Sequence, residues 1–102
     1  MDSAGPVPPD RETAPSSSRV TVRYWAAARS AAEVTEEQLS GSTVSEILHK
    51  ARAARPDNVR FAHVLSMSSL LLGDRPVNTL DLETIAVAEG DVIEVLPPFA
   101  GG

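Results

Sequence analysis

The residues best suited to chemistry close the chain, where Pro97, Pro98, Phe99, Ala100, Gly101 and Gly102 follow an apolar run. Two consecutive prolines hold φ at about −65° and favour an extended path, so this segment is expected to project from the body of the protein. Gly101 and Gly102 add no side-chain bulk and let the backbone approach another surface closely. The result is a thin probe tipped by a carboxylate. Such a tip suits a narrow partner pocket, where the carboxylate can attack a nucleotide phosphate, become an acyl adenylate and then accept sulfur. Phe99 reads as an aromatic anchor for that partner, the competing reading being that it folds back on the protein's own sheet.

Other chemistry finds little support. The chain has no cysteine, which removes disulfides, thiolate metal sites and a thiol nucleophile together. His49 and His63 lack acids at ligand spacing, so no metal site is expected. Glu36 and Glu37 are read as solvated charges on a strand edge, where they discourage edge-to-edge association. Arg29 is either a partner contact or a solvated loop arginine. With no glycine-rich phosphate loop, Ser-His-Asp set or zinc spacing, a freestanding enzyme is not expected.

The elements that must hold the probe follow from periodicity. Val20, Val22 and Tyr24 alternate with Thr21, Arg23 and Trp25, the spacing of a half-buried strand. After the alanines and Arg29, Glu33 to Leu39 alternates on a polar background and reads as an edge strand. Gly41 breaks it. Thr43 and Glu46 stand at capping-box spacing, and Val44, Ile47, Leu48 and Ala51 fall on one helical stripe that Pro56 ends. Asp57 to Leu65 reads as one short helical turn with Phe61, Val64 and Leu65 inward. Ser69 to Leu72 and the turn Gly73-Asp74-Arg75-Pro76 suggest a strand pair. After the turn Glu89-Gly90-Asp91, Val92 to Leu96 is apolar on nearly both faces and is expected at the centre of the sheet.

With 102 residues, the chain has room for one domain. Residues Met1 to Ser18 hold four of the eight prolines and one large aliphatic side chain, Val7, too little to offset about 1–2 kcal/mol of backbone entropy per residue. They are expected to form a disordered tail before a domain over residues 19–96 and a functional tail over 97–102. Nine basic against fourteen acidic residues give a charge of −5, unlike the basic stripe that nucleic acid selects. No signal-peptide or membrane-spanning run occurs, so a cytoplasmic protein is expected, with neither nucleic acid nor membrane as partner.

Taken together, residues 19–102 resemble a MoaD/ThiS-type sulfur carrier. The carrying pieces are Val20 to Trp25 followed by Ala26-Ala27-Ala28-Arg29, the capped helix from Thr43, the Gly90-Asp91 turn, and the ending Pro97-Pro98-Phe99-Ala100-Gly101-Gly102. That ending is similar to the Pro-Pro-Val-Ala-Gly-Gly of MoaD, whereas Trp25 stands where phenylalanine is usual. The resemblance implies an α+β, β-grasp (ubiquitin-like) fold: a mixed sheet of four to five strands on one main helix. It implies that a MoeB-like enzyme uses ATP and magnesium to adenylate Gly102, with no cofactor bound by the carrier itself. A sulfurtransferase would form the thiocarboxylate, and a MoaE-like large subunit would accept the tail and make molybdopterin. Other acceptors (thiazole, cysteine or tRNA) and a ubiquitin-like modifier remain the alternatives.

Overall fold

The computed structural model describes residues 17–77 and 81–98. β1 (Ser18–Tyr24) pairs antiparallel with β2 (Glu36–Gly41), and β5 (Val92–Leu96) lies parallel to β1. β3 (Ser69–Leu72) runs antiparallel to β5 and turns through Gly73-Asp74 into the short β4 (Arg75–Pro76). The described residues thus form a five-stranded mixed sheet in the order β2-β1-β5-β3-β4. The last strand is central and β2 is at an edge, both as periodicity predicts. β1 begins at Ser18, inside the stretch read as tail, because that residue still pairs with Gly41.

One face of the sheet is covered. Val20, Val22, Tyr24, Leu70, Ile93 and Val95 are buried against the helices; each fully buried aliphatic side chain contributes about 1.5–3 kcal/mol relative to exposure. α2 (Val44–Ala53) buries the expected Val44, Ile47, Leu48 and Ala51. The Thr43 hydroxyl accepts the Glu46 N–H, as a capping box requires. The return bond differs: Glu46 Oε1 accepts from the N–H and hydroxyl of Ser42, one residue earlier, and these two bonds hold the Glu46 carboxyl below its usual range. The orphan amides of Val44 and Ser45 donate instead to the carbonyls of Ile85 and Leu82. In this way the otherwise irregular stretch before β5 is fastened to the start of α2, burying Ile85 and Val87.

Two helices correct the expected order of elements. The alanine run, expected as a loop, forms α1 (Ala26–Ala32) with Ala28, Ala31 and Ala32 buried. Alanine has the highest helix propensity, but a stripe made only of alanine carries no large apolar residue to reveal it. Ala26 and Glu33, at its two ends, have φ of 49° and 68°, left-handed values that favour glycine. The single turn expected after Pro56 is the complete helix α3 (Val59–Met67). Asn58 explains why it forms: its side-chain oxygen accepts the Phe61 N–H at 2.8 Å, while Nδ2 donates to the Ala31 carbonyl at 2.8 Å. One residue thereby caps the start of α3 and satisfies a carbonyl in the last turn of α1.

A polar brace joins these pieces on the covered side. The Arg55 guanidinium donates to Glu37 at 2.8 Å and to the carbonyls of Ala51 and Ala32 at 3.0 and 3.3 Å. It lies 4.7 Å from the centroid of Phe61 and 5.6 Å from that of Tyr24, whose rings meet edge to face. The Tyr24 hydroxyl donates to the same Glu37 carboxylate. Glu37 is therefore not a solvated edge charge; it is half-buried and shared, because the alternation of β2 turns it toward Arg55. Glu36, on the other face, is exposed and 3.5 Å from Arg23, a pair of the kind that contributes about 0–1 kcal/mol.

Tyr24 is the only tyrosine in the chain, which makes the brace directly observable. Burial first, then the hydrogen bond and charge of Glu37, push its hydroxyl well above the ordinary 10.0. A pKa raised by folding contributes stability fully below the unfolded value and loses it as pH rises toward the folded one. Absorbance titration is expected to show no phenolate in the native protein at about pH 10; phenolate and unfolding should arrive together at higher pH. Tyr24→Phe should flatten this alkaline loss. A native phenolate with an ordinary midpoint would refute the shared hydrogen bond.

Candidate functional site

The chain leaves the sheet from its central strand. β5 is fixed on one side by β1, with Tyr24 opposite Val95, and on the other by β3, with Ser69 opposite Leu96. The Trp25 N–H adds a further bond to the Val95 carbonyl at 3.2 Å. The turn before β5 fixes the other end. Gly90 takes φ of 87° and donates to the Arg19 carbonyl at 2.9 Å, while the Asp91 N–H donates to the Ala88 carbonyl. The Asp91 carboxylate accepts the Ala88 N–H at 2.8 Å, and Glu89 accepts the Arg19 N–H at 2.8 Å. Each residue of Glu89-Gly90-Asp91 therefore has a task in starting β5 at one register.

Beyond Leu96, Pro97 is half-buried and Pro98 exposed. Neither has an N–H to continue a ladder, so pairing stops where the tail begins. Phe99, Ala100, Gly101 and Gly102, the remaining residues singled out in the sequence, lie outside the described residues. On the helix side of the tail root, Ala27 of α1 and Val64 and Met67 of α3 join Pro97 and Pro98 around an apolar groove of about 100 Å³. Near the end of β1, Trp25 is 42% exposed; its indole N–H donates to Glu94 at 2.8 Å and its ring centroid lies 5.9 Å from the Arg23 guanidinium.

Arg29 is not gathered into the groove. It is exposed on α1, two residues from Ala27 and so about 200° around a helix of 3.6 residues per turn. Among the described residues its side chain makes no hydrogen bond or ion pair, while its carbonyl accepts the Glu33 N–H at 2.8 Å. His49 and His63 are exposed on α2 and α3, and among the described residues no three His, Asp or Glu side chains cluster as metal ligands would. A wider cleft, about 580 Å³, is lined by Glu33, Arg55, Pro56, Asp57, Asn58, Val59 and Arg60. It opens at the start of α3, about 13 Å of helix away from Met67, and Arg55 and Asn58 are already committed there to bracing the fold.

Sequence reasoning missed the groove. Val64 was expected inward and is half-buried at its wall; Met67 was assigned no role. Their i, i+3 spacing on a continuing helix was the available signal.

A family model described as ThiS family matches residues 22–102. No curated protein matches the chain. Among solved structures, small archaeal modifier protein 1 of Methanosarcina acetivorans is 23% identical with a TM-score of 0.71, over 84% of this chain and 98% of that one. Small archaeal modifier protein 1 of Haloferax volcanii is 19% identical with a TM-score of 0.67, over 82% and 99%. A chain in the complex of subunits 1 and 2 of the molybdopterin-converting factor of Helicobacter pylori is 23% identical with a TM-score of 0.57, over 82% and 99%. At these identities the likeness speaks for the fold, the ubiquitin-like β-grasp.

The start of β5 offers a direct test of how the tail is aimed. A Cβ on Gly90 meets nothing within 4 Å, so Gly90→Ala tests backbone strain alone. It is expected to lower stability by about 1–2 kcal/mol, read as a shifted urea midpoint at unchanged slope. An unchanged midpoint would mean that the turn does not need its left-handed residue.

Proposed function

The chain belongs to the ThiS family, and on that premise we propose that it is a sulfur carrier serving molybdopterin synthesis as the small subunit of the synthase. Family and fold restrict it to two kinds of work: sulfur carriage of the ThiS and MoaD kind, or modification in the manner of ubiquitin-like proteins. Small proteins of this kind are generally not catalysts themselves.

The observation that carries the proposal is the exit of the tail. A strand locked on both edges runs straight into Pro97 and an exposed Pro98, so the residues that follow start from a rigid root, and their sequence ends on Gly101-Gly102. In the proposed cycle the Gly102 carboxylate attacks the α-phosphorus of ATP on a MoeB-like partner, with magnesium held there, and pyrophosphate leaves. A sulfurtransferase delivers sulfur at the sulfide level, as a hydrosulfide nucleophile, to the acyl carbon and AMP leaves. The thiocarboxylate then enters a MoaE-like large subunit, where its sulfur bonds to the pterin precursor and water cleaves the acyl–sulfur bond, restoring the carboxylate. Gly102 reacts, Gly101 and Ala100 keep the lead slim, and Phe99, Pro98 and Pro97 set reach and direction.

The molybdopterin assignment is supported by the Pro-Pro start and Ala-Gly-Gly end of the tail and by the likeness to the Helicobacter pylori complex. The modifier reading is supported by the likeness to two archaeal modifier proteins. In that reading the activated Gly102 would form an isopeptide bond to a lysine.

Intact-mass analysis of the protein from its own host is expected to show sulfur in place of one oxygen at the C-terminus. An alanine added after Gly102 should leave the fold intact and abolish loading, and Gly101→Val should block transfer, since a branched side chain widens the lead. Loading of the extended chain would overturn the terminal-acyl mechanism. Gly-Gly remnants on lysines of other proteins, without sulfur on this chain, would establish the modifier reading instead.

A further inference from the structure

An activated C-terminal acyl group reacts with an amine it meets, and the side chains of this protein offer almost none. Of its nine basic residues eight are arginine, and Lys50 is the only lysine. A guanidinium stays protonated and has no lone pair for attack. The helices beside the tail root follow the same choice: α1 carries Arg29 and α3 carries Arg60, each where a lysine would keep the charge and add a nucleophile. His63 of α3 is exposed, but an acyl imidazole is reopened by water and leaves no lasting bond.

The one lysine stands at the other end of the sheet. Its ammonium donates to the Ser40 carbonyl and lies 3.8 Å from a Glu46 carboxylate oxygen, so it must give up both contacts and a proton before it can attack. Ser40 is opposite Arg19, near the start of β1, whereas Val95 is opposite Tyr24 at its end. That run of β1, with the two strand spacings from β2 across to β5, separates Ser40 from Val95 by about 19 Å. Because β5 runs parallel to β1, the chain then moves further away. Leu96 and Pro97 each precede a proline and so avoid the α region, which keeps the path extended. By Pro98 the gap has grown to about 25 Å, while the four residues that follow span about 14 Å at full stretch.

We propose that the fold denies the activated C-terminus an acceptor within its own copy: Lys50 is engaged at the far end of the sheet, out of reach of Gly102, so the chain acts as a donor only. This rests on activation of Gly102, which the carrier and modifier readings share. In the reaction avoided, an amine nitrogen would bond to the acyl carbon of the adenylate, AMP would leave with the C–O electron pair, and the nitrogen would lose a proton. The resulting amide is a dead end for sulfur. Keeping amines distant preserves the adenylate for hydrosulfide or, in the modifier reading, for a lysine of another protein. Each such lysine then takes a single copy, because a copy gives the next no free side-chain amine.

The test uses the full chain prepared as a thioester at Gly102, which needs no activating enzyme, with its α-amine acetylated. At mildly alkaline pH the native thioester is expected to decay to the free acid. Ala27→Lys, at an exposed position beside Pro97 and Pro98, puts an amine within reach of the tail. Tethering at millimolar effective concentration should give it at least about tenfold more monomeric amide than the native chain, read as a mass one water below the acid and mapped to position 27. An amide at Lys50, within one copy or between copies, would overturn the proposal. So would the absence of amide from Ala27→Lys, since position would then not decide the outcome. If Gly102 is never activated in the host, the carrier and modifier readings fail together and these results stand.

Discussion

The parallel pairing of β5 with β1 is the constraint from which the rest of the molecule follows. Parallel neighbours cannot be joined by a hairpin, so the chain must leave the sheet, cross a face and return. The crossing includes α2 and α3, which with α1 cover one face, while the strands at the periphery join antiparallel. β5 is then satisfied on both edges. A shift of one residue would break two ladders and exchange buried Ile93 and Val95 for Glu94. Only the root of the tail inherits this rigidity, at Pro97, where the ladder stops at the first of two residues without an N–H.

What could be read from the sequence was whatever one stretch of chain encodes on its own. β1 and β5 declared themselves by period, and α2 by its cap and apolar stripe. The end of β5 declared itself by Pro97 and Pro98, which have no N–H to continue a ladder. What could not be read depends on segments distant in sequence. α1 is held by burying alanines, whose small side chains leave no periodic signal. α3 is stabilised at its start by Asn58, whose other bond goes to Ala31. The stretch before β5 has no period because its N–H and C=O partners lie at Ser42, Val44 and Ser45. Glu37 looked like one of two edge charges; only the approach of Arg55 across eighteen residues distinguishes it from Glu36. The groove was hidden for the same reason, being assembled from α1, α3 and the tail.

The brace and the groove divide the helical layer between two ends. At the start of α3, Arg55 contacts two carbonyls, a carboxylate and two aromatic rings, and a guanidinium planar enough to stack while donating in its plane suits that position better than an ammonium. Breaking such a pair leaves the remaining charge partly desolvated, so the brace resists piecemeal change. At the end of α3 the packing is the opposite: Met67 and Ala27 are exposed, and apolar surface is left without a neighbour from the described chain.

That contrast fits the proposed role, in which the tail would meet more than one enzyme: its root must not wander, or the search for each pocket becomes slow. Stiffness belongs in the sheet and brace, where hydrogen bonds and buried rings oppose motion. A shallow apolar groove beside the root adds little rigidity of its own because it offers few contacts. The same alanine-rich α1 that left no mark in the periodicity leaves that groove open.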